Sequence, residues 1–159
     1  MQCISENEAQ IWLGAHITDN AQALQALASW SIPGDAGRKM ALAKLLCAHL
    51  NWRAGMLLWV TDWNIWPSAE NMLLFDRLRA GSGETRSLHE APAHWFTDRE
   101  IDEGEAVLAI GLYFMWDMTL VAVEESFILQ FDHHETLRFL GLESDAFAHL
   151  ERVIVEFLA

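Results

Sequence analysis

The segment GMLLWVTDW, residues 55–63, constrains this chain most. Its large apolar side chains run almost without a break and end in a β-branched pair, Val60 and Thr61. The apolar/polar alternation of a half-exposed strand is missing, so the run reads as a strand buried on both faces. A short buried helix would use the same residues and stays open as an alternative.

Around this run the helix signals are frequent. Ser5 and Glu8 have capping-box spacing and open a helix over 6–17. The alanine-rich NAQALQALASW predicts a second helix over 20–30, stopping before Pro33 and Gly34. Asp35 caps a third, with Leu42, Leu45, Leu46, His49 and Leu50 at helical spacing and Lys39 and Lys44 on its surface. After the central strand, Asp62, Asn64 and Pro67 mark a loop. Ser68 then caps a helix over 69–80 that buries Leu74, Phe75 and Leu78 and exposes Asp76, Arg77 and Arg79. Glu70 sits at the positive end of that helix's dipole.

A short strand is expected near 85–90. Thr97 and Glu100 cap a helix running to Trp116, apolar nearly all round from 106 onward. Leu120–Val123 and Phe127–Phe131 read as a hairpin turning at Glu124 and Glu125. Asp132 with Glu135 looks like another capping box, opening a helix that Gly141 closes, and Ser144 caps a last helix carrying Phe147, Leu150 and Ile154. No linker or repeat divides the 159 residues. The expected architecture is α+β: one domain over 1–159, a small, mostly antiparallel sheet of about 3–4 strands, and about 6 helices.

Composition decides what such a domain is suited to bind. Ten Lys and Arg stand against 23 Asp and Glu, a formal net charge of −13. That balance argues against nucleic acid and against anionic membrane surfaces, and it favours a basic protein partner. The most apolar segment, residues 106–116, is too short to span a bilayer. Cys3 and Cys47 have no CxxC or metal-site spacing, and the N-terminal residues lack a signal-peptide pattern, so a cytoplasmic location is expected. Eight tryptophans against one tyrosine point to a large core or an adhesive surface.

Two motifs hold candidate site residues. Trp63 and Trp66 lie in the strand-to-helix loop, Glu70 follows in the first turn of the helix, and HEAPAH supplies His89, Glu90 and His94. Zinc proteases place H-E-x-x-H on a helix, but here the histidines are five residues apart and Pro92 intervenes. A metal site would therefore need His89 and His94 to be joined by His133 or His134 from DHHE. The hydrolase elbow, the dinucleotide fingerprint and the phosphate loop are all missing, and no catalytic residue or cofactor is assigned.

The pieces WPSAEN, DRLR and LHEAP, within 57–96, resemble a pattern in bacterial hypothetical proteins without an assigned activity. The resemblance covers about a quarter of the chain. It implies a bacterial protein in which the tryptophan loop and HEAP form one local unit, and it carries over no functional residue. The leading expectation is a non-enzymatic interaction module, of regulatory or immunity type, binding a basic partner through Trp63, Trp66, Glu70, His89, Glu90 and His94. The alternative is a small metal-dependent hydrolase or small-molecule binder built on HEAPAH. A homodimer that covers surplus apolar surface is the third reading.

Overall fold

The computed structural model describes residues 1–17, 25–63 and 72–159. The described chain runs β1 (Gln2–Ile4), α1 (Glu6–Ile17), β2 (Gln25–Ser31), α2 (Ala36–His49), β3 (Met56–Asp62) and α3 (Met72–Gly81). It continues through β4 (Ala93–Phe96), α4 (Ile101–Tyr113), β5 (Asp117–Ala122), β6 (Phe127–Asp132), β7 (Thr136–Gly141) and α5 (Asp145–Leu158). The class is α+β, as expected, but among the described residues the sheet has seven strands and the helices number five. Strand order is β1-β4-β3-β5-β6-β7-β2, antiparallel throughout.

β3 lies inside the sheet, with Leu58 opposite His94 of β4 and Leu120 of β5. Strand alternation sends Met56, Leu58 and Val60 into the larger core, beneath Leu42 and Leu46 of α2, Val107 and Leu108 of α4, and Leu150 and Ile154 of α5. Leu57 and Trp59 point the other way, where they join Ala93, Val121 and Ile128 under Ala9, Trp12 and Leu13 of α1. The continuous apolar run is thus explained by helices on both faces. Close approach is part of the packing: a Cβ at Gly104 would lie 2.4 Å from the Trp52 ring, and one at Gly111 would lie 2.1 Å from Met118 Sδ.

The helix ends follow their caps. Ser5 Oγ and its backbone N–H both donate to Glu8, Asp35 accepts from the Arg38 N–H at 2.8 Å, and Ser144 accepts from the Phe147 N–H at 3.1 Å. Five expectations fail. Residues 25–31 of the alanine-rich tract form the edge strand β2 instead of a helix, paired with β7. Residues 20–24 of that tract lie outside the described residues. Alanine tolerates either conformation, so the ladder offered by β7 outweighs local preference.

The helix expected from Asp132 is β7, entered by a tight turn. Asp132 Oδ1 accepts the N–H groups of His134 and Thr136, and Glu135 adopts φ 57°. The side chain of Glu135 is then free to reach Lys39 Nζ at 2.6 Å, and Lys39 is buried instead of on the surface. The strand expected near 85–90 falls at Ala93–Phe96. Lastly, α3 is rotated from its expected setting. It buries Phe75 and Arg79, while Leu73, Leu74 and Leu78 are 75%, 65% and 41% exposed. No helix among the described residues is long and apolar enough to cross a membrane.

Two glycines make the packing testable. Gly141 has φ +151°, and a Cβ there would sit 2.5 Å from the Ser126 carbonyl oxygen and 2.6 Å from Phe127 Cα. Backbone atoms cannot swing aside, so Gly141→Ala is expected to cost about 1–3 kcal/mol in urea unfolding. A Cβ at Gly14, within α1, would meet nothing within 4 Å. Gly14→Ala should therefore stabilise the chain by about 0.5–1 kcal/mol in the same measurement.

Candidate functional site

The two sequence motifs meet only in part. Trp63 leaves the end of β3, and His89 stands on the turn before β4, so that their rings pack edge to face with centroids 4.7 Å apart. With Glu6, Trp59, Thr61 and Pro92 they line a cleft of ≈ 190 Å³ on the α1 side of the sheet. Glu90 is turned away to close its own local cap. The Ser87 N–H and Oγ both donate to Glu90 Oε2 at 2.8 Å, which holds its carboxyl below the usual range. Trp66 and Glu70 lie outside the described residues.

His94 goes elsewhere. Within β4 the alternation directs it through the sheet, to the side opposite Trp59, where it sits between Cys3 of β1 and Leu58 of β3 in one cross-strand row. His133 is on the β6–β7 turn, with Nδ1 2.9 Å from Asp117 Oδ1 and its ring against His134. The ligand set His89, His94 and His133 is therefore not assembled, and no three His, Cys, Asp or Glu among the described residues are placed to hold a metal.

A second site, not foreseen from the sequence, surrounds α3. On its outer side Leu78 and Ser82 meet Met1 and the first turns of α4, through Asp102, Glu103, Ala106 and Val107, around a cleft of ≈ 250 Å³. Phe75, one turn earlier, touches Trp116 just beyond the far end of α4, with ring centroids 4.9 Å apart. Leu74 lies one turn from Leu78 on the outer face of α3, and Tyr113, also exposed, continues the Asp102–Ala106 stripe of α4. Acids gather at the α4 end: Asp98, Glu100, Asp102, Glu103 and Glu105 fall within eight residues. Glu100 is engaged by the Met1 ammonium and by Thr97, which hold its carboxyl below the usual range.

The inner side of α3 is the reverse, buried and polar. Arg79, 1% exposed, donates from Nη2 to the Ala91 carbonyl at 2.7 Å. Its guanidinium lies against the Cys3 thiol and over the Phe75 ring, with Cζ 5.9 Å from the ring centroid. The Phe75 ring also packs on His94 at 5.6 Å between centroids. Burial, reinforced by the Arg79 charge, pulls the His94 pKa down to about 3, so the imidazole is neutral at ordinary pH. Burial also pushes the thiol of Cys3 up, outweighing the guanidinium beside it. The sequence signal for this side is the i, i+4 pair Phe75–Arg79, hidden because arginine in a last helical turn ordinarily faces water.

No protein-family model matches the sequence, and neither the curated proteins nor the solved structures supply a match.

The state of His94 has a pH signature. Between about pH 6.5 and about pH 3 the unfolded chain protonates this imidazole while the folded chain keeps it neutral. The unfolded state then binds more protons, so stability falls as pH falls through that window, by up to about 1.4 kcal/mol per pH unit. Above the window both states are neutral and the effect vanishes. Urea unfolding of His94→Leu is expected to show a smaller loss between about pH 7 and about pH 4 than the parent chain does. Equal losses would remove the assignment.

Proposed function

We propose that this chain is a non-enzymatic interaction module that seats a basic, amphipathic helix of a partner protein in the groove between α3 and α4. The observation that carries the reading is the apolar stripe on α3, Leu73, Leu74 and Leu78, set beside the acidic first turns of α4. Exposed apolar patches rimmed by polar groups mark sites of association. An amphipathic helix fits such a groove with apolar residues at helical spacing. The rim selects the sign of its charge: Asp102 and Glu103 line the cleft, while α3 contributes one exposed cation, Arg77, and the whole chain carries −13. Long-range attraction then speeds encounter, and apolar burial retains the partner. A second reading, small-molecule binding, is favoured by the Trp63–His89 cleft.

A labelled synthetic helix with leucines on one face and lysines on the other is the probe, read by fluorescence anisotropy. Saturable binding is expected, about tenfold weaker when salt rises from about 50 to about 300 mM. Leu74→Glu and Leu78→Glu should abolish it, Asp102→Lys with Glu103→Lys should weaken it and flatten its salt dependence, and His89→Ala should leave it intact. Binding indifferent to the leucine variants would overturn the proposal. So would a dimer in sedimentation that Leu78→Glu dissolves, because the groove would then belong to a second copy.

A further inference from the structure

Every buried side-chain nitrogen or oxygen that lacks a nitrogen or oxygen partner among the described residues belongs to α3 or to a ring packed on its Phe75. The atoms are Asp76 Oδ1, Arg79 Nε and Nη1, both ring nitrogens of His94, and Trp116 Nε1. All belong to α3 or to the rings packed on its Phe75: His94 at 5.6 Å, Trp116 at 4.9 Å and the Arg79 Cζ at 5.9 Å. Such orphaned groups are rare in folded proteins, and elsewhere among the described residues this chain satisfies the ones it buries. Their coincidence under a single helix calls for a common cause.

The inventory has a definite chemical bias. Arg79 brings a permanent charge and, beyond its bonds to the Ala91 carbonyl and the Cys3 thiol, donors that reach no oxygen or nitrogen; Trp116 brings one donor, and His94 is a neutral ring drawn to the Leu58 backbone. Only Asp76 Oδ1 is an acceptor carrying negative charge, and among the described residues no carboxylate lies within ion-pair distance of Arg79. Glu84, whose charge does reach Arg79, is already held by Arg86 at 2.6 Å and 3.0 Å. A guanidinium removed from water without a counter-charge is costly, and an aromatic face only partly offsets that cost. A group rich in acceptor oxygens and bearing negative charge complements what is present.

We propose that Arg79, where α3 packs on β1 and β4, anchors a binding site for a small oxyanion, a phosphate or a carboxylate. His94, neutral and drawn to the Leu58 backbone, borders it without adding charge. Imidazolium there would repel the guanidinium, which agrees with the buried, uncharged state of the ring. Trp116 closes the side beyond Phe75. The site uses none of the exposed leucines of the α3–α4 groove, so it stands or falls apart from the docking reading.

The test is a titration of the full chain with sodium phosphate, and separately with sodium acetate, against sodium chloride at matched ionic strength. Thermal unfolding and the His94 and Trp116 ring N–H signals in a proton–nitrogen spectrum are followed together. Expected are a saturable rise in unfolding temperature and a saturable shift of those ring signals with at least one oxyanion. Arg79→Lys, which keeps the charge but loses the planar donor array, should weaken the effect at least about tenfold. Leu78→Glu should leave it unchanged. A response to phosphate alone identifies a tetrahedral oxyanion, and a response to acetate alone identifies a carboxylate. If both anions act only as chloride does, or the ring N–H groups show exchange with ordered water and no anion response, the proposal is wrong. Should Arg79→Lys fail to fold, the parent chain's spectra decide alone.

Discussion

The fold depends on the burial of β3 from both sides. Met56, Leu58 and Val60 enter one core and Leu57 and Trp59 the other, so neither face of the sheet at this strand can be left to water. The helices divide accordingly. Among the described residues α1 covers the smaller cluster, and α2, α4 and α5 cover the larger one, with Gly104 and Gly111 of α4 drawn tightly onto Trp52 and Met118. Every strand pairing is antiparallel, but only the β5–β6 and β6–β7 returns are short; the longer connections carry the helices that close on either face.

Around this frame the polar groups sort by whether they find partners. Lys39 is buried but answered by Glu135, whose backbone carbonyl also accepts from the Ile32 N–H at 2.7 Å, so the β6–β7 turn, α2 and the end of β2 are tied at one residue. Asp132 binds its own turn and also Arg138 of β7. The caps at Ser5 and Ser144 are closed, and Ser87 and Thr97 each bond a glutamate three residues on. Arg79 and His94 break this pattern. α3 is accordingly the element where both proposals converge, with an unmatched apolar stripe outside and an unmatched polar group inside.

Much of the frame is legible in the residues, and the reasons are physical. A strand that is apolar on both faces, helices with strong caps, and the β5–β6 pair all declare themselves over a few turns or one hairpin. Trp63 and His89, both candidates from the sequence, do meet, since both lie near the point where β3 and β4 pair. His94 falls into one motif with His89 because only five residues separate them. His89 stays on the turn before β4 while strand alternation inside β4 sends His94 through the sheet, which a spacing rule drawn from helices does not register. The alternation Leu137–Arg138–Phe139 signals β7, but the serviceable cap at Asp132 and Glu135 hides it.

By itself, then, the sequence determined the α+β class, the central strand, four of the five described helices nearly to their ends, and a strongly acidic surface, because each is set by short-range periodicity, capping or composition. Tertiary structure alone decided that an alanine-rich tract pairs as the edge strand β2, that β1 and β7 complete the sheet, and that α3 turns its leucines outward and Arg79 inward. Those outcomes depend on what a distant segment offers in return: an open ladder beside β7, a carboxylate for Lys39, an aromatic face for a guanidinium. Such partners meet only when the sheet closes, so no window of local sequence contains them.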